Sequence, residues 1–513
     1  MKKMRKIFAV LLTLAMVLAM SIPTFAGENS ATITVNGLDK DATVTYTQII
    51  EPDTTTATGW KFTDASYKTA FSETLDEQAV IWKLLKMKTN KKMQNEPDGV
   101  VAYDAKEFAT AIGKIETRIS VNDENKQPKK AGATGEISWT VDKAGVYVVN
   151  ARSDFKTGNK VKYTYSTMAG YVSFDNYDIT TGLPKELVDA TITAKSSSID
   201  ITKENNEKDK VVEVGKVVEY TVKTKIPYVN DAEPITKFEV TDTITGAEYV
   251  TTKNAENKDI LTLKVKVGSE SEKDVTVEVT NNSFTLDLTS YLNLSNTEEK
   301  PKNAHANQSV VITYNAKVTG TVVENKVKWY DGNNTSETAT DKLYTGTVTL
   351  TKTGENNAKL ENAEFVLVRK NKEDNKLTYA VADKTENKAE YTVTSWVEEK
   401  DKATATTMKT DKNGNIVVKG LDDSTDEMTY EFKETKAPNG YSINEKNAEV
   451  KWDTKDEGAT AEKRAGSASM TDTKLNALPS TGGIGTTIFT IAGCLIMVTA
   501  AGLFFASRKR TNK

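Results

Sequence analysis

From about residue 190 onward the sequence is written in period two. Runs such as VVEYTVKT (217–224), LTLKVKV (261–267), VVITYNAKV (310–318), GTVTLTKT (346–353) and AEFVLVRK (363–370) alternate apolar or aromatic residues with polar ones. Successive side chains on a strand point to opposite faces, so each run buries one face and wets the other. Turn clusters such as Asp331-Gly332-Asn333 and Lys412-Asn413-Gly414-Asn415 punctuate them. Short strands at this spacing predict an all-β chain built of β-sandwiches. At 513 residues there is room for about three domains. Small and polar residues separate the strand patterns near 190–198 and 335–342, which gives expected domains at 27–190, 196–341 and 342–474.

The N-terminal third departs from this pattern. Between the strand runs TVTYTQI (43–49) and VYVVNAR (146–152), two helical patterns are expected to pack on the sandwich. Phe71, Leu75, Trp82 and Leu85 fall near one face of the first, and Asp104 with Glu107 has the form of a capping box ahead of Phe108, Ile112 and Ile115.

The two ends fix the compartment. MKKMRK followed by an apolar run from Ile7 to Met20 and by Pro23-Thr24-Phe25-Ala26 reads as a secretory signal peptide over residues 1–26, cut between Ala26 and Gly27. The apolar run is short for a bilayer span. At the other end, residues 484–506 carry no charge and are long enough to cross a membrane, and the basic tail 507–513 would stay in the cytoplasm. Of the 68 Lys and Arg, eight lie in residues 1–26 and 482–513, which hold no acid, so the stretch between carries 60 basic against 72 acidic residues, a net −12. That balance argues against a nucleic-acid partner. One Cys (Cys494) and one His (His305) exclude a disulfide framework and a Cys/His metal site within one chain, and no cofactor or metal site is expected. Asp411-Lys412-Asn413-Gly414-Asn415 lacks the Gly position and closing Glu of a calcium loop and reads as a hairpin turn. His305, in PKNAHANQ, reads as a solvated loop residue.

Leu478-Pro479-Ser480-Thr481-Gly482, ahead of the apolar span and basic tail, resembles the sorting signal of Gram-positive cell-wall proteins. The resemblance implies that a sortase thiolate attacks the Thr481 carbonyl, breaks Thr481–Gly482 and leaves Thr481 as acyl donor, with peptidoglycan as the final anchor. Residues 475–483 would form linker and motif. Tyr430-Glu431-Phe432-Lys433-Glu434-Thr435-Lys436-Ala437-Pro438-Asn439-Gly440-Tyr441 closely resembles the box of collagen-adhesin B-type domains in Gram-positive pilins, with Phe432 in the Leu place. By that resemblance Glu434 promotes an isopeptide bond from Lys352 to Asp472, with Asn447 and Asn476 as other acceptors. The segments holding Lys203, Asp242 and Asn325 resemble A-type pilin domains, in which the acid promotes a Lys–Asn bond. Burial suits such chemistry, since it favours a neutral amine and a protonated carboxyl.

Pilus backbones of this kind also carry a surface lysine that joins subunits. Here Leu183-Pro184-Lys185-Glu186 is the best match, Pro184 favouring an extended, accessible Lys185, with Lys195 and Lys162 behind it. The whole resembles a sortase-assembled pilus backbone subunit, a non-enzyme of tandem immunoglobulin-like β-sandwich domains. Its implied partners are sortase, identical subunits in a head-to-tail polymer, peptidoglycan, minor pilins and host surface ligands. A monomeric wall-anchored adhesin and an anchored glycosidase stand as alternatives.

Overall fold

The computed structural model describes residues 30–475 and 485–510, except 90, 94, 116–128, 157–159, 179, 231–234, 295–302, 424–426 and 454–459. The expected signal peptide with Ala26 and Gly27, the motif Leu478–Gly482 and Asn476 lie outside the described residues. The chain is mostly β and divides into two compact units, one of residues 1–208, 217–318 and 322–342, the other of 209–216, 319–321 and 343–513.

In the first unit, residues 31–199 build a three-stranded sheet, a seven-stranded sheet and a two-stranded hairpin. The three-stranded sheet sets Ala31–Asn36 between Ile137–Val141 and, in parallel, Ala190–Thr193. Its alternation is strict: Ala31, Ile33 and Val35 enter a core with Val44, Trp139, Tyr147 and Ile192. Three helices, not two, cover a second core around Ile49, Phe62, Ile81 and Ile112. They span Ala65–Phe71, Glu77–Lys86 and Ala105–Gly113. The first helical pattern breaks because Ser72 ends one helix in extended geometry and Asp76 caps the next, its carboxylate accepting from the Ala79 N–H. Leu75 is thereby left in the connection and exposed. The Asp104–Glu107 capping box forms as expected.

Residues 202–344 form a sandwich. One sheet runs Thr202–Asn205, Val217–Lys225, Ser309–Val318, Asp259–Val267 and Thr251–Lys253, with Ala247–Tyr249 and Lys273–Glu278 at its sides. The other runs Ser283–Asp287, Glu239–Thr245, Val322–Tyr330 and Ala339–Tyr344. Buried Val218, Tyr220 and Val222 face Val310, Ile312 and Tyr314 along one ladder. His305 is buried, not solvated: its ring packs edge-on against Tyr291, and Nδ1 lies 3.2 Å from Gln308 Oε1. Lys162, on Lys162–Tyr165, is fully buried with Nζ 2.8 Å from Asp331 of the sandwich, so it cannot be a surface lysine.

The second unit is one ten-stranded hydrogen-bonded sheet that wraps a core of Val348, Phe365, Leu367, Val393, Ile416 and Phe432. Its first strand, Gly346–Thr353, lies between Asn415–Leu421 and the last strand, Ala465–Thr471. First and last strands run parallel, with Lys352 opposite Met470. The C-terminal helix Gly485–Arg510 contains an apolar stretch, Ile488–Arg508, long enough to cross a membrane.

Candidate functional site

The period-two pattern that builds the sheets also builds two polar centres, because each places a polar residue at an apolar position. In the strand Gly346–Thr353 the inward set is Gly346, Val348, Leu350 and Lys352. In Met428–Lys436 it is Tyr430, Phe432 and Glu434. The inward parity of Ala465–Thr471, through Ala468 and Met470, continues into Asp472. The three side chains meet with no solvent exposure. Lys352 Nζ contacts Asp472 Oδ1 directly and lies 2.9 Å from Glu434 Oε1. Glu434 is held by the Asn444 N–H, which donates to its Oε2 at 2.7 Å, and the Phe365 ring lies 5.4 Å from the amine.

One ammonium against two buried carboxyls leaves an excess negative charge, which a dry core relieves by taking up a proton. Burial accordingly pushes the Asp472 carboxyl up, Lys352 opposes this, and the Glu434 charge adds to the rise. Asp472 Oδ2 accepts no hydrogen bond among the described residues. Backbone also fixes the amine: Lys352 N–H donates to Gly414 O at 2.7 Å from the turn after Asp411. That turn forms as expected, with the Asn413 and Asn415 N–H groups donating to Asp411 Oδ1.

The second centre bridges the two sheets of the 202–344 sandwich. Lys203 comes from the edge strand Thr202–Asn205 of one sheet, paired with Val222. Asp242 and Asn325 come from neighbouring strands of the other, at the inward parity of Val240, Ile244, Val323 and Val327. Lys203 Nζ contacts Asp242 Oδ2 directly, and neither side chain is exposed. Three tyrosines line the pair. Tyr249 donates to Asp242 Oδ1 at 2.8 Å, Tyr314 donates to Oδ2 at 2.8 Å, and the Tyr220 ring lies 5.5 Å from the amine. Asn325 is fully buried, its Nδ2 donating to the Tyr314 hydroxyl at 3.1 Å. Burial pushes the Lys203 amine down to about 8, against the pull of Asp242, and pushes the Asp242 carboxyl up, against the pull of Lys203. Both centres thus set an amine against a buried acid beside a carboxyl-type acceptor, an arrangement suited to amide formation.

Asn447 is not at the Lys352 centre; its Nδ2 donates to Glu431 at 2.9 Å. Lys185 sits half-buried in the strand Pro184–Leu187, opposite Asn176 in a hairpin. Lys195 is also half-buried. Sequence reasoning missed Tyr249 and Tyr314, although a tyrosine at the inward parity of VVITYNAKV and another after the Asp242 strand were visible signals.

Comparison with known proteins adds two matches. Residues 346–465 match the SpaA prealbumin-like fold domain, and residues 471–513 match the LPXTG cell wall anchor motif. No curated protein matches the chain. Among solved structures, it is similar to the T6 backbone pilin of serotype M6 Streptococcus pyogenes (15% identity, 88% of this chain and 100% of that one, TM-score 0.47). It is also similar to the major pilin SpaA of Corynebacterium diphtheriae (16%, 86% and 100%, 0.39) and to BcpA, the major pilin subunit of Bacillus cereus (14%, 87% and 100%, 0.37). The chain carries a SpaA-type prealbumin-like domain followed by an LPXTG anchor, which makes it a Gram-positive surface protein held at the cell wall.

Proposed function

We propose that this protein is the backbone subunit of a covalently polymerised pilus, built of three domains (27–190, 196–341 and 342–474). A sortase cleaves Thr481–Gly482 and passes the Thr481 acyl group to Lys185 of the next subunit, and the last transfer fixes the fibre to peptidoglycan. Two internal amides stiffen each subunit. Lys203 joins Asn325 with loss of ammonia, promoted by Asp242, and Lys352 joins Asp472 with loss of water, promoted by Glu434. The only reactions are these self-reactions, without turnover and without a cofactor.

The observation that carries this reading is the Lys352, Glu434 and Asp472 centre at the adjoining ends of the parallel first and last strands. A pull entering before Gly346 and leaving after Asp472 runs along the first strand, crosses the amide and exits, so residues 353–471 bear no load. The Lys203–Asn325 amide shields residues 204–324 in the same way. Each cross-link closes a loop of more than a hundred residues, which lowers unfolded-state entropy by about 4–5 kcal/mol.

Intact mass and peptide mapping of residues 27–476 test the internal bonds: one ammonia and one water are lost, at the named pairs. An unmodified mass refutes them. Boiled cell-wall extracts test assembly: high-mass ladders are expected, and Lys185→Ala abolishes them. A single discrete species in the wild type instead means a monomeric anchored adhesin.

A further inference from the structure

Among the described residues no hydrogen bond joins Asp242 to Asn325. Both Asp242 oxygens are taken, Oδ1 by Tyr249 and Oδ2 by Lys203 and Tyr314. The link to Asn325 is the Tyr314 hydroxyl, which accepts from Lys203 Nζ at 2.5 Å, accepts from Asn325 Nδ2 at 3.1 Å and donates to Asp242 at 2.8 Å. A hydroxyl has one proton and two lone pairs, so its whole capacity is spent on the amine, the amide and the acid. Packing alone does not require it, since a phenylalanine ring, Phe365, lies beside the amine in the other centre. That centre also has less need of a relay, because its acceptor candidate Asp472 contacts the lysine directly, whereas Asn325 meets the Tyr314 hydroxyl.

We propose that Tyr314 is the proton relay for amide formation between Lys203 and Asn325, an inference that rests on the Lys203–Asn325 bond proposed above. The Lys203 ammonium first gives a proton to the Asp242 carboxylate across their contact, leaving a neutral amine and a neutral acid. Nζ attacks Cγ of Asn325, a C–N bond forms and the carbonyl pair moves onto Oδ1. That oxygen accepts no hydrogen bond among the described residues beforehand. The new ammonium nitrogen hands one proton to the Tyr314 oxygen while the Tyr314 proton passes to Nδ2. The carbonyl re-forms, the Cγ–Nδ2 bond breaks with its electron pair on nitrogen, and ammonia leaves. The products are the amide, ammonia and protonated Asp242.

The test follows full-length chain made by cell-free synthesis, stopped with a translation inhibitor and sampled by intact mass and peptide mapping. Tyr314→Phe is expected to slow loss of ammonia at Lys203–Asn325 by at least about tenfold, a modest share of what general acid–base groups contribute. The Lys352–Asp472 bond, whose centre has no contact with Tyr314 among the described residues, keeps its wild-type rate. In D2O the wild-type Lys203–Asn325 step slows, and this isotope effect shrinks in Tyr314→Phe. Wild-type kinetics in Tyr314→Phe overturn the relay. Should that variant fail to fold, a wild-type rate unchanged in D2O overturns it instead. A wild type that never loses ammonia removes the Lys203–Asn325 bond itself, a failure distinct from that of the relay.

Discussion

The two lysine centres share a plan and differ in their acceptor, and the acceptor dictates what surrounds it. In each, a lysine from an early strand meets an acid from a middle strand, and an acceptor candidate comes from the last strands, at the same inward parity. At the Lys203 centre the acceptor candidate is a neutral amide, so one ammonium balances one carboxylate and both can be buried as a pair. Its leaving nitrogen needs a proton, and a tyrosine hydroxyl touches it. At the Lys352 centre the acceptor candidate is itself a carboxyl. A second negative charge enters the core, the Asp472 carboxyl is pushed up, and a bare phenyl ring suffices as the wall. The amide centre buys its proton delivery with tyrosines, whereas the carboxyl centre holds the proton on the reacting groups.

Exchanging the acids breaks this comparison most severely. Glu434→Gln is expected to abolish the Lys352–Asp472 bond and leave Lys203–Asn325 intact, and Asp242→Asn does the reverse. Each lost cross-link lowers stability by about 4–5 kcal/mol through the freed loop alone. Mass spectrometry reads the bond, and thermal unfolding followed by circular dichroism reads the stability. If both bonds form in Glu434→Gln, the acid is not a promoter and the shared plan is coincidence.

A third buried lysine shows what the plan leaves out. Lys162 meets Asp331 at 2.8 Å with both side chains dry, yet Asp331 Oδ1 also accepts from the Asn333 and Asn334 N–H groups at 2.9 and 2.7 Å. Those two backbone donors tie the carboxyl into its own turn, and the contacts described at Lys162 do not pair a promoter with a separate acceptor as the other two centres do. Wild-type protein is therefore expected to show no mass loss at Lys162. Lys162→Met strands a buried carboxylate and should cost about 3–5 kcal/mol in chemical denaturation.

Much of this was legible in the chain. Period two located the strands around 217–224, 310–318, 346–353 and 363–370, and the capping signature at Asp104 and Glu107 located a helix start. The Tyr430–Tyr441 string led to Lys352, Glu434 and Asp472, which do meet. What escaped were properties that depend on a distant neighbour. Lys162 looks like any strand lysine until Asp331 closes over it, and His305 looks like a loop residue until Tyr291 packs on it. The inward parity of Tyr314 was visible, but parity marks only a core residue and does not show that its hydroxyl links Lys203 and Asn325. The helical pattern at 71–85 failed for a local reason: its apolar spacing was helical, but Asp76 offered a cap in the middle of it.

A smaller difference between the centres lies in the backbone behind each amine. Gly414 has φ +73°, and a Cβ there would sit 2.3 Å from the Lys352 carbonyl oxygen. Lys203 is held by an ordinary ladder opposite Val222. Gly414→Ala should therefore push Lys352 from its partners, costing about 1–3 kcal/mol and slowing only the Lys352–Asp472 bond. Equal slowing at both centres would mean a general loss of folding.

The smallest effect, and the most discriminating, is in pH. At the Lys203 centre the reactive pair is neutral amine and neutral acid, which holds as many protons as the ammonium–carboxylate pair. Between the raised value of Asp242 and the value of about 8 for Lys203, the proton count is right and the rate should stay flat. Above about 8 the amine is neutral without passing its proton to Asp242, so the rate should climb and level off. At the Lys352 centre attack requires a neutral acceptor carboxyl, so the rate should decline as pH rises through the raised value of Asp472. Mass-resolved rates for the two bonds in one sample, across about pH 5 to 9, separate these profiles. A Lys203–Asn325 rate that falls above pH 8 would mean that protonated Asp242 acts in the attack itself, and that Tyr314 alone does not carry the protons.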